Sequence, residues 1–173
     1  PSTTGYGEPL QRYFNFRDRE SVVGVTSNDA RHRADAQESL LLPNSEVPPP
    51  PYGVALTRRG RNLRFALKAH EETSTKSGRR YARLGKDDEV LAVYPTHGDE
   101  RICVATRGGR AMVYDINDVV ILRASGKGTT GIKLRTDDEV IAFELASSTM
   151  EGPEVVTAQG RSLVVRERKF GLS

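Results

Sequence analysis

The chain has 173 residues and a net charge of +3, with 26 Lys or Arg against 23 Asp or Glu, 36% hydrophobic residues, 16 glycines and 6% aromatics. That length allows one domain with a sizeable core, and no stretch approaches the ~20 apolar residues of a membrane helix. The single cysteine, Cys103, excludes a disulfide framework within the chain, and its place in the apolar run 102–105 predicts a buried strand thiol.

The elements follow in chain order. Residues 1–25 read as the end of a preceding blade-like unit, with apolar and aromatic character over 10–16 and a strand-like Val22-Val23-Gly24-Val25. Residues 26–51, poor in apolar side chains and ending in the run Pro48 to Pro51, read as a Pro-rich connector. Residues 52–100 form a first full unit. A strand over 52–57 is followed by a turn at Arg58-Arg59-Gly60 and a second strand in which Leu63, Phe65 and Leu67 alternate with Asn62, Arg64 and Ala66. A polar loop over 68–78 leads to strands over 80–84 and 89–94.

Residues 101–153 repeat this plan. Strands are expected over 101–106 and 110–114, then a short helical turn over 115–119 capped by Asp115. A Gly-rich loop over 123–131 precedes strands over 131–134 and 139–145, with Leu134 expected in the core. Residues 154–173 start a partial third unit with a strand over 161–165.

The repeat is carried by two motifs. Thr-x-x-Gly-Arg occurs at Thr57–Arg61, Thr106–Arg110 and Thr157–Arg161, and Leu-x-x-Asp-Asp-Glu-Val at Leu84–Val90 and Leu134–Val140, with Gly78 and Gly128 each six residues before the leucine. A period of about 50 residues with several strands per unit marks an all-β, propeller-like or pinwheel fold of four-stranded blades. Partial blades at the two ends imply either strand sharing between neighbours or an incomplete set. The chain begins at Pro1 without Met and is expected to be a fragment; no signal peptide is visible, so a cytoplasmic location is expected.

Charge is unevenly placed. Residues 52–86 hold ten Lys or Arg against Glu71 and Glu72, the footprint of a polyanion site. The segment Ala124-Ser125-Gly126-Lys127-Gly128-Thr129-Thr130-Gly131 offers backbone N–H groups and a cation to an anion, but Gly128 follows Lys127, so the Gly-x4-Gly-Lys-Ser/Thr spacing of a nucleotide loop fails. It reads as a loop touching a nucleic-acid backbone or as a plain turn. The pairs Asp87-Asp88 and Asp137-Asp138 read as turns entering a strand rather than as a metal site. His32, His70 and His97 lack ligand spacing, and Ser74, Ser77 and Ser125 lack a paired base, so neither catalytic nor metal-binding residues are expected.

Together, the Thr-x-x-Gly-Arg turns, the Gly-Lys-Gly loop and Gly131-Ile132-Lys133-Leu134-x-x-Asp137-Asp138-Glu139-Val140 resemble the C-terminal domain of the A subunits of DNA gyrase and topoisomerase IV. The resemblance covers about residues 52–165. It implies a β-pinwheel whose basic rim binds and wraps double-stranded DNA without sequence preference. The rim would consist of Arg58, Arg59, Arg61, Arg64, Lys76, Arg79 and Arg80 in the first unit and Arg107, Arg110, Arg123, Lys127 and Lys133 in the second. It further implies a non-catalytic module, nucleoid-associated and with no membrane partner. Its partners would be an ATPase B subunit together with the rest of the A subunit; ATP and Mg would be used elsewhere in the parent enzyme. The family's Gln-Arg-Arg-Gly-Gly-Lys-Gly box is matched only in part, by Arg123-Ala124-Ser125-Gly126-Lys127-Gly128. An acidic protein facing the basic strip is the competing expectation.

Overall fold

The computed structural model describes residues 5–17, 20–27, 47–72, 74–147 and 154–164. In chain order their strands are β1 (Tyr52–Thr57), β2 (Arg61–Ala66), β3 (Val90–Thr96), β4 (Glu100–Thr106), β5 (Ala111–Asp115), β6 (Ile121–Leu122), β7 (Thr129–Thr130), β8 (Val140–Ser147), β9 (Glu154–Val156) and β10 (Ser162–Val164). Helical structure among these residues is confined to 3-10 turns.

The repeat in sequence is a repeat in space. Strands β1–β2, β4–β5 and β9–β10 are antiparallel hairpins, each closed by a Thr-x-x-Gly-Arg turn. In all three turns the glycine N–H donates to the threonine carbonyl and the arginine N–H donates to the threonine Oγ1. The glycines sit at φ between +74° and +78°, a left-handed position that closes a short hairpin and that residues with a Cβ adopt at a cost. Strand β3 lines β1 on its far side, and β8 lines β4 in the same way. Both pairings slip register at the same repeat position, beside Thr57 and beside Thr106.

The two complete units share a core. Val54 and Leu56 of β1 pack with Ile102 and Val104 of β4, Tyr114, Ile116, Val119, Ile132, Val140 and Phe143. The opposite face of β1 packs Ala55 against Leu63 and Phe65, and the opposite face of β4 packs Cys103 against Val113 and Ala146. Both faces of the central strands are therefore covered, which explains their near-continuous apolar runs. Burial pushes the Cys103 thiol up to about 11, leaving it protonated and inert at neutral pH.

The first sheet is completed by the second unit. After β5 the chain makes the expected short turn, Ile116–Asp118, with the Asp115 side chain accepting from the Asn117 N–H. It then crosses to the first unit, where β6 runs parallel and β7 antiparallel to β2. The sheet order β3-β1-β2-β6, with β7 also on β2, thus draws strands from both sides of the boundary at residue 100. Gly128 fixes the crossing: at φ +66°, a Cβ there would stand inside van der Waals contact of the Asn62 carbonyl oxygen. The buried Asn62 side chain bridges the units, with Nδ2 donating to Tyr114 Oη at 2.8 Å and Oδ1 accepting from Thr129 Oγ1 at 2.8 Å.

Several expectations change. Residues 80–84 form no strand; Ala82 makes one parallel bridge to Gly126. Residues 131–134 are also irregular, because the crossing uses Thr129–Thr130 instead. Ile132, rather than Leu134, is the buried residue there; Leu134 is only partly buried at the core's margin. Residues 5–17 and 20–27 form no strand, and Tyr6, Tyr13 and Val25 are exposed. Most of the connector expected over 26–51, with His32, lies outside the described residues.

Gly128→Ala is expected to destabilise the chain by about 3 kcal/mol, from left-handed strain plus the clash with a backbone atom that cannot swing away. Gly78→Ala, at φ +68° with nothing within 4 Å, is expected to cost about 1 kcal/mol. Urea midpoints of the two variants check the difference.

Candidate nucleic-acid interface

The crossing segment determines which cations come together. Ala82 pairs with Gly126, the Arg83 N–H donates to the Gly126 carbonyl at 2.8 Å, and Arg83 Nε lies 3.4 Å from Ser125 Oγ. These contacts bring the loop carrying Arg79, Arg80, Arg83 and Lys86 against the loop carrying Arg123 and Lys127, and all six residues are exposed. Arg61 reaches the same loop, with Nη1 donating to the Gly128 carbonyl at 3.3 Å. Lys76, also exposed, precedes Arg79 in the first loop, where Arg79 stands 3.9 Å from Glu72. One outer edge therefore combines basic side chains from two units.

The other cations of the expected rim divide into three environments. Arg64 is buried: Nε donates to the Val119 carbonyl at 2.9 Å, Nη1 to Asn117 Oδ1 at 3.2 Å, and the guanidinium lies 6.0 Å from the Tyr52 ring centroid. Burial lowers its pKa from the usual arginine range. Strict alternation would put Arg64 on an open face, but the crossing chain covers that face, so it acts as a structural post rather than a rim contact. Arg110 and Lys133 line a groove of about 830 Å³ beside β5, together with Met112, Tyr114 and Asp118. Arg58, Arg59 and Arg107 stand at the turn end of the units, among acids.

At that end Asp88 and Asp138 do the same work in two units. Asp88 Oδ1 accepts from the Arg59 and Glu89 N–H groups at 3.0 and 2.9 Å. Asp138 Oδ1 accepts from Gly108 and Glu139 at 2.7 and 2.9 Å, and Oδ2 accepts from Thr106 Oγ1 at 2.8 Å. Each acid thus closes its own turn, as expected, and in addition ties it to the hairpin turn. The Gly108 N–H and the Thr106 hydroxyl, supported by the Glu139 N–H and Arg110, hold the Asp138 carboxyl below the usual carboxylate range. Glu100 is built on similar lines. Burial pushes its carboxyl up, but bonds from the His97 N–H, the Thr96 hydroxyl and the Gly98 N–H outweigh that and hold it down. Among the described residues no three His, Cys, Asp or Glu side chains gather as a metal site.

Arg83 is absent from the rim expected from sequence. The repeat carries the signal that points to it, since Arg83 precedes Leu84 as Lys133, a member of that rim, precedes Leu134.

Comparison with known proteins agrees with this architecture. Residues 100–147 match the family model for the DNA gyrase C-terminal domain, beta-propeller. The DNA gyrase A subunit of Aminobacterium colombiense is 26% identical over 171 residues, 98% of this chain and 17% of that protein. The DNA gyrase A subunit of Rickettsia prowazekii is 33% identical over 140 residues, 80% and 14% respectively. The matched segment, residues 100–147, belongs to the DNA gyrase C-terminal domain family. Among solved structures, the C-terminal domain of DNA topoisomerase IV superposes with a TM-score of 0.75 at 21% identity, covering 96% of this chain and 47% of the other. The E. coli ParC C-terminal domain gives 0.69 at 13%, covering 95% and 60%. The chain thus spans less than a fifth of the curated relatives named here, and its fold is that of their propeller-type domains.

The Asp138 bonds set a pH dependence. Its folded-state pKa lies below the ordinary 3.8, so its contribution is complete at pH values above that figure and is lost as pH falls through the depressed value. Asp138→Asn is expected to lower Tm at pH 7 and to flatten the acid-side fall in Tm between about pH 5 and pH 2. Thermal unfolding of both proteins across that range checks it.

Proposed function

We propose that this chain binds double-stranded DNA along its basic outer edge, without sequence preference, and bends it as part of the A subunit of a type IIA topoisomerase. The observation that carries this reading is the joining of the 79–86 and 123–127 loops through Ala82 and Gly126, which makes one cationic track from two units. The contacts would be side-chain cations on an exposed edge. Such contacts fix position on a duplex and carry no sequence information directly. Contact along several phosphates would offset the roughly 1–6 kcal/mol needed to bend 20–30 bp through 40–90°.

In this reading the module contributes DNA geometry and the chemistry lies elsewhere. The proposed partners are an ATP-hydrolysing B subunit together with the rest of the A subunit, working on the nucleoid in the cytoplasm. ATP and Mg would be bound there; in this chain both Asp138 oxygens and Asp88 Oδ1 already accept from backbone N–H groups or a threonine hydroxyl.

Binding to ~20-bp and ~100-bp duplexes of two unrelated sequences, across a salt series, tests the reading. With roughly six phosphates engaged, log K should fall with log salt at a slope of about −5. The longer duplex should bind more tightly, and sequence should have little effect. Arg79→Ala with Arg80→Ala should leave Tm within about 1 °C and make the slope shallower by about 2. An unchanged slope in that variant would remove the loop from the interface, and a flat wild-type slope would reject the reading.

A further inference from the structure

At the turn end, two arginines and two glutamates occupy matching repeat positions and alternate in space. Arg58 and Arg107 follow the threonines of successive turns; Glu89 and Glu139 precede the valines of successive Asp-Asp-Glu-Val segments. Arg58 Nε donates to Glu89 Oε1 at 2.6 Å. Arg58 Nη1 stands 3.4 Å from Glu139 Oε1, and Arg107 Nη2 stands 2.5 Å from that same oxygen. The pairs Glu89–Arg58 and Glu139–Arg107 lie within the first and second units, while Arg58–Glu139 crosses between them. The backbone follows the same route: the Arg58 N–H donates to the Glu89 carbonyl, the Val140 N–H to the Arg58 carbonyl, and the Arg107 N–H to the Glu139 carbonyl.

We propose that Arg58 is an inter-unit clasp, a positioning residue that closes on Glu139 and sets the angle between successive units, and not a phosphate contact. Three observations carry this. First, the arginine is not needed for the turn. Ala158 stands at the same place in the third copy, and that turn closes with the same bonds, from Gly160 N–H to the Thr157 carbonyl at 2.9 Å and from Arg161 N–H to Thr157 Oγ1 at 3.1 Å. Second, Glu139 is largely shielded, its side chain 18% exposed, and two guanidinia face it. Swinging Arg58 away would take a cation from a shielded carboxylate. Third, the Arg58 guanidinium already faces two carboxylates, Glu89 and Glu139, whose negative charge opposes a phosphate at the same cation. A salt-sensitive link between units would set the path of the basic edge that both units share. That last consequence rests on the DNA-binding reading; the clasp itself does not.

Two sets of measurements on the whole chain separate the two. In thermal unfolding, Arg58→Ala and Glu139→Gln should each lower Tm by about 2 °C. The double variant should lose clearly less than the two shifts added, and Arg58→Lys should recover part of the loss. Additive shifts would overturn the clasp whatever the chain does with DNA. On an end-labelled ~100-bp duplex, both single variants should change the bend read by energy transfer while leaving the salt slope as in the wild type. An Arg58→Ala slope shallower by about 0.9, or a Glu139→Gln slope made steeper, would mean that Arg58 meets phosphate and would overturn the proposal. If the wild-type chain binds neither duplex, the DNA reading fails and the unfolding cycle alone decides the clasp.

Discussion

The structure depends on one crossing: residues 121–130 leave the second unit and lie along β2 of the first. Gly128 permits it, since the left-handed backbone there presses directly on the Asn62 carbonyl. Asn62 in turn needs it. A buried amide without partners is costly, and both side-chain partners of Asn62, Tyr114 and Thr129, come from the second unit. Burial drives the Tyr114 hydroxyl up to about 12 despite that bond, so it stays protonated through the physiological range. The first sheet is finished, and its polar interior satisfied, only when the second unit is in place. Two stretches that look like independent repeats are therefore expected to unfold as one body, in keeping with a core that draws Val54 and Leu56 from one unit and Ile102, Val104 and Phe143 from the other.

The same crossing creates the charge pattern. Neither unit alone presents a continuous cationic track; the Ala82–Gly126 bridge makes one by setting the two loops side by side. Cations held at such an edge repel one another, and water and salt screen that cost only while the edge stays exposed. A polyanion laid along the edge removes the repulsion and releases its own counterions. The basic positions lie on two adjoining loops, 79–86 and 123–127, so an anion long enough to span both would meet cations from two units.

Sequence legibility follows the range of the interactions. The hairpin turns are readable because their chemistry is local: a threonine hydroxyl, a glycine at positive φ and an arginine N–H within five residues. The Asp115-capped turn and the buried Cys103 are readable for the same reason. The strands expected over 80–84 and 131–134 are not, because their pairing partners lie about 40 to 70 residues away and the crossing uses neighbouring residues instead. Arg64 shows the limit most clearly. Alternation along β2 points its side chain at an open face, and only the Val119–Val120 stretch returning over that face makes it interior. Asp88 and Asp138 are legible as turn residues, but their second role, holding the neighbouring hairpin turn, needs the fold.

Separation of charge within each unit explains how a chain of net charge +3 can present a strongly basic edge. The repeat places its acids next to the hairpin turns, where Asp88, Asp138, Glu89 and Glu139 are consumed by N–H groups and guanidinia. Local neutralisation at that end leaves Arg80, Arg83 and Lys127 on the outer edge with few opposing carboxylates near them in sequence. Composition averages these two ends and hides both. Their spacing is fixed by the rigid hairpins between them, so a change at the mixed-charge end need not alter the number of cations at the edge in order to alter the line they follow. In the proposed DNA-binding reading, binding strength would belong to the loop cations and binding shape to the arginine–glutamate contacts at the turns.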